Sequence, residues 1–90
     1  MSHTVYYSSD ALQALATFPH SMLEMYLKEV KRISADPEGT GALLHHCGEH
    51  NPPLYYFDIT FPDRTGMRSR FTAHREAREM FIQDVWPVNP

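Results

Sequence analysis

A second cysteine is missing. With Cys47 alone in ninety residues, no intrachain disulfide can form, which excludes a disulfide-stapled secreted scaffold. Long apolar runs are missing too, and none approaches the roughly 20 residues that a membrane helix needs. The opening Met1-Ser2-His3-Thr4-Val5-Tyr6-Tyr7 has neither the basic start nor the apolar run of a signal peptide. A cytoplasmic chain with no membrane association is the expectation. A basic excess is also lacking. Eight Lys and Arg face eleven Asp and Glu, for a net charge of −3 and a pI near 6.0. That balance argues against non-specific phosphate binding as the main task.

What is present is enough for one folded domain. The hydrophobic fraction is 42% and the aromatic fraction 12%, values of a packed chain rather than a disordered one. A chain this short buries roughly 60–65% of its unfolded surface, so its core must be economical. We expect a single domain over 1–90, with flexible ends at about 1–3 and 87–90. Six histidines are many for this length. They either decorate a polar surface or make an interface pH-dependent.

The stretch Leu54 to Phe71 carries the clearest local signal. Leu54–Phe61 and Met67–Phe71 are rich in aromatic and β-forming residues, and Pro62-Asp63-Arg64-Thr65-Gly66 separates them. Pro presets φ, Gly accepts positive φ, and Asp bonds its own turn backbone, so the segment predicts a hairpin. In the first arm Tyr55, Phe57, Ile59 and Phe61 share one face. In the second Met67, Ser69, Phe71 and Ala73 share one. These sets are expected to face helices, leaving Arg68 and Arg70 on the open face near Tyr56 and Asp58.

Before the hairpin, Thr4–Tyr7 reads as a short strand. A short helix follows from Asp10 to about Thr17, with Asp10 and Gln13 as a capping box and Leu12, Leu15 and Ala16 at helical spacing. Ser21 and Glu24 form a second box. Behind it Leu23, Tyr26, Leu27, Val30 and Ile33 mark one helix face, and Glu24–Lys28 is a favourable pair. Asp36-Pro37-Glu38-Gly39 stops that helix. Gly39–Pro53 is irregular, with Ala42-Leu43-Leu44 either an anchor or an edge strand. After the hairpin, a charged turn at 74–79 leads to a last strand, Met80–Trp86; a helix over Ala73–Val85 is the rival. Pro87 and Pro90 are expected to end regular structure. The fold class is therefore α+β, ordered β-α-α-β-β-β, with a helical hairpin packed on one face of a small antiparallel sheet.

Length and element order resemble the RelE/ParE superfamily of bacterial toxins. Three phrases carry the likeness: Leu15-Ala16-Thr17-Phe18-Pro19 between two helices; Ile33-Ser34-Ala35-Asp36-Pro37 before a Gly-rich link; and Arg68-Ser69-Arg70-Phe71, similar to the family's Arg-x-x-Tyr strand pattern. The resemblance implies a toxin that cuts messenger RNA on the ribosome or poisons DNA gyrase, and an antitoxin partner that wraps it. Of the family's active residues, Arg68 carries over. Phe71 lacks the tyrosine hydroxyl, and the C-terminal Asp84-Val85-Trp86-Pro87-Val88-Asn89-Pro90 lacks the usual Arg with Tyr or His. The chain is acidic where family toxins are mostly basic.

Arg68 and Arg70 are the candidate catalytic residues, with Arg64, Tyr56 and His74 as candidates for binding nucleic acid or a partner. Metal-free RNA cleavage needs cations for the developing phosphorane charge, plus an acid and a base. The planar arginine fork suits phosphate. Alternatively the arginines keep an exposed sheet soluble, paired with Asp58 or Asp84. Residues Tyr6, Tyr7, Tyr55, Tyr56 and Trp86 either stack on bases or belong to the half-buried sheet. His45, His46, Cys47 and His50 have ligand chemistry, but no second ligand pair completes a zinc site, and neighbours rarely meet as nucleophile and base. No metal and no cofactor is expected. The competing function is a non-enzymatic inhibitor or binding module using its sheet face or edge. A homodimer through the last strand is a further expectation.

Overall fold

The computed structural model describes residues 2–40, 42–43 and 54–88. His45, His46, Cys47 and His50 lie outside the described residues, as does most of the link before Pro53. The elements run β1 (Thr4–Tyr7), α1 (Ser9–Leu15), α2 (His20–Ala35), α3 (Pro37–Thr40), β2 (Ala42–Leu43), β3 (Leu54–Thr60), β4 (Gly66–His74) and β5 (Glu79–Val88). This is the expected α+β order, with a helical turn and a two-residue edge strand added in the link.

Among the described residues, five strands lie in the order β1-β5-β4-β3-β2. β3, β4 and β5 form the expected antiparallel meander. β1 joins it in parallel, Thr4 beside Glu79 through to Tyr7 beside Ile82, so the sheet is mixed. A connection long enough to carry two helices is what a parallel neighbour requires. The rival helix over Ala73–Val85 is overturned. Arg75–Arg78 is a turn, and β5 has strand partners on both sides with Met80, Ile82 and Val85 buried against the core. Pro87 does not end the strand: it pairs with Met67. β1 covers only Glu79–Ile82, which leaves the far half of β5 as an edge, where a missing N–H is tolerated. Pro87 and Val88, expected in a flexible end, are thus part of the sheet.

A bulge interrupts β5. Arg70 pairs with Asp84 but Phe71 pairs with Ile82, which leaves Gln83 extra. The bulge switches the inward phase from even positions, Met80 and Ile82, to odd ones at Val85. Ser8 fastens this point. Its backbone N–H donates to the Ile82 carbonyl at 2.9 Å and its hydroxyl donates to the Gln83 carbonyl at 2.5 Å. The same hydroxyl accepts from the Ala11 N–H at 3.0 Å, so Ser8, and not Asp10, caps α1. Anchored there, α1 turns Ala11 and Leu15 inward and leaves Leu12 54% exposed, a rotation away from the expected Leu12–Leu15–Ala16 face.

Pro19 occupies the cap of α2 without a side-chain bond. Ser21 sits inside the first turn, so the expected capping box does not form, and Glu24 instead meets His20 at 2.9 Å. Tyr26, Val30 and Ile33 are buried as expected, while Leu27 is 44% exposed. Leu27 lies about 100° round the helix from Tyr26, beyond the stripe that meets the sheet. The core is closed by aromatic contacts. Tyr26 lies 5.9 Å from Phe57, and Phe18 meets Tyr26 and Phe61 edge-on.

Candidate functional site

The helices cover one sheet face and leave the other open. β3 places Phe57 and Ile59 in the core and Asp58 outside; β4 places Ser69, Phe71 and Ala73 inside and Arg68 and Arg70 outside. The expected alternation therefore holds in the middle of the hairpin, but not at the paired Leu54 and Thr72, which were expected on the open face and are both buried at 4%. The Arg-x-x-Phe pattern is split by it: Arg68 stands on the open face, whereas Phe71 is fully buried under the helices. Phe71 cannot take part in a site with Arg68.

Cross-strand register arranges the open face in rows. Asp58, Arg68 and Trp86 make one row, and Tyr56, Arg70 and Asp84 the next. Arg68 gives Asp58 two parallel bonds, Nε to Oδ1 at 2.7 Å and Nη2 to Oδ2 at 2.9 Å. Its guanidinium carbon also lies 4.3 Å from the centre of the Tyr56 ring, a cation–π contact. The bonds it donates to Asp58 hold the Arg68 guanidinium in its charged form, above its ordinary range. Arg70 donates to Asp84 through Nη2, and its Nε is buried without a hydrogen-bond partner. The two cations that the sequence marks as catalytic candidates are each matched by a carboxylate. The pairing with Asp58 and Asp84 is therefore the arrangement present.

Tyr56 belongs to this cluster. Arg64 and His74 do not. Arg64 is in the exposed turn before β4 and His74 at its far end. Nine residues of strand separate the two ends by roughly 27 Å. Arg64 itself adopts the left-handed conformation with φ of 70°, the role the sequence suggested for Gly66. Gly66 has another duty: a Cβ there would lie 3.2 Å from the Val88 carbonyl. The turn is held by Asp63, whose Oδ1 accepts from the Thr65 N–H and hydroxyl at 3.0 and 2.6 Å. Those bonds pull its carboxyl below the usual range.

His74 contributes to a different feature. It meets Phe81 edge-on at 5.4 Å, and Phe81 stacks on Tyr6 at 5.1 Å. With Tyr7, Thr72 and Gln83 they line an open groove of about 390 Å³. A second cleft of about 590 Å³ runs between α2 and β3, lined by Met25, Lys28, Glu29, Arg32, Asp58 and Thr60. Asp84 is the arginine partner the sequence offered as an alternative, whereas Gln83 in the groove was not foreseen, because its placement depends on the bulge. Among the described residues no group of three metal-ligating side chains converges, and no helix is long and apolar enough to cross a membrane.

No protein-family model and no curated protein matches the sequence. Solved structures do match. The toxin–antitoxin complex RelBE2 from Mycobacterium tuberculosis superposes with a TM-score of 0.78 at 15% identity, over 100% of this chain and 95% of that one. The isolated E. coli RelE toxin gives 0.73 at 12% identity, over 99% and 87%. The intact E. coli RelBE toxin–antitoxin complex gives 0.72 at 16% identity, over 99% and 100%. The fold of this chain is that of the RelE toxins.

Proposed function

We propose that this chain is the toxin of a toxin–antitoxin pair, acting in the cytoplasm on messenger RNA at the ribosome and restrained by an antitoxin protein. One observation carries the reading: on a RelE-like fold, the open sheet face presents Arg68 and Arg70 between Tyr56 and Trp86. Paired guanidinium groups suit the charge that develops on phosphorus, and flanking aromatics suit unstacked bases. The matched structures include complexes of RelE-type toxins with their antitoxins, which supports a protein partner of the same kind.

Induction in bacteria should arrest growth, deplete full-length reporter mRNA, and be relieved by Arg68→Ala with Arg70→Ala. Harmless overexpression removes the toxin reading. A second reading follows from the neutralised arginines: a binding module that blocks a protein target without cutting RNA. Arrested growth with intact reporter mRNA selects it. A proline placed in β5 beyond Gln83, on the edge that β1 does not cover, should weaken binding to such a target.

A further inference from the structure

We propose that Asp58 and Asp84 are specificity-determining residues: they occupy the two arginine forks of the open face and so select against RNA phosphate. This rests on the nucleic-acid reading of that face and names the residues that limit it. A phosphate and a carboxylate use the same parallel donors of a guanidinium. On Arg68 the side-on donor pair, Nε and Nη2, is committed to Asp58 at 2.7 and 2.9 Å. Tyr56 lies against the same guanidinium at 4.3 Å and fixes its plane. On Arg70 the Nη2 donor goes to Asp84 while Nε is left unpartnered. The forks are filled unequally, Arg68 by two bonds and Arg70 by one. Each cation sits beside an anion in the sheet register, Asp58 opposite Arg68 and Asp84 opposite Arg70. These four residues carry no net charge, so an approaching polyanion meets no net positive field from them, and the side-on pair of Arg68 is closed to it.

An RNA phosphate that takes either fork side-on must therefore displace its carboxylate. The amides of Asp58 and Asp84 keep the shape, surrender the charge, and release the guanidinium groups. The test is fluorescence anisotropy of a labelled single-stranded RNA oligonucleotide with purified protein. Asp58→Asn with Asp84→Asn should tighten binding about tenfold or more. The salt dependence should steepen by about 0.7 per phosphate newly engaged. Asp58→Asn alone should give the larger share, because it frees the doubly bonded fork. Adding Arg68→Ala and Arg70→Ala should abolish the gain. A charge control, Asp10→Asn with Glu24→Gln, makes the same charge change on the helices. Equal gains in control and double variant would overturn the assignment, as would no gain. If the double variant melts before measurement, Asp58→Asn alone decides, its carboxylate being 41% exposed. Growth arrest is scored separately. Tighter RNA binding with no arrest by the parent chain sinks the toxin reading and leaves this one standing; arrest without any gain does the reverse.

Discussion

The Tyr26 hydroxyl and the Ser69 hydroxyl meet at 2.6 Å inside the core, one from α2 and one from the centre of β4. Both side chains are fully buried, so each is the other's replacement for water. The bond ties the helix layer to the strand that carries Arg68 and Arg70.

Breaking that pair on one side should cost more than removing it. Ser69→Ala leaves a buried phenol without a partner, a loss of about 1–3 kcal/mol. The double variant with Tyr26→Phe should lose less than the sum of the singles, with a coupling of about 1 kcal/mol. Urea unfolding of the four proteins measures it.

Burial holds the Tyr26 phenol above its ordinary value of 10.0, and Tyr7 shifts the same way. The folded state therefore keeps protons that the unfolded state gives up. This stability is complete below the unfolded value and declines as pH rises above about 10. Unfolding midpoints should fall with pH in that range. Tyr26→Phe should flatten the decline, as a denaturant series from pH 8 to beyond about 11 will show.

Ser8→Ala should cost about 1–2 kcal/mol. It removes the cap of α1 and the bond to the bulge carbonyl together. For a domain of this size the melting temperature should fall by roughly 4–8 °C per kcal/mol. Ser8→Thr, which keeps the hydroxyl, should restore most of it.

Arg64→Gly should be neutral to stabilising, by up to about 1 kcal/mol. Arg64 holds a φ of 70° in an exposed turn, a conformation that costs a side chain of this type about 1–2 kcal/mol; glycine's greater unfolded freedom offsets part of the gain. A thermal melt checks the sign.

The parts legible in the sequence were those set by short-range periodicity. Alternation in 54–61 and 67–73 put Arg68 and Arg70 on the open face, and the Tyr26–Val30–Ile33 spacing found the helix stripe. The parts that were not legible depend on partners far along the chain. Ser8 serves as a cap because β5 fixes its position, so local box patterns at Asp10 and Ser21 pointed to the wrong residues. The bulge at Gln83 resets the inward phase of β5, and no periodicity count within 79–88 reveals where. Pro87 lies in a strand because β1 is short. Pairing of the arginines with Asp58 and Asp84 was foreseeable as an alternative, whereas the Tyr26–Ser69 bond needed the crossing of α2 over β4.

The parallel pairing of β1 with β5 has a consequence for the order of events in a living cell. Among the described strands, the one made earliest is zipped to the one made latest. At about 5–20 residues per second, Thr4–Tyr7 waits several seconds for Glu79–Ile82 to be made. The surface bearing Arg68, Arg70 and Asp84 is completed at that same late moment. The row Tyr56–Arg70–Asp84 is thereby the last part of that face to be assembled.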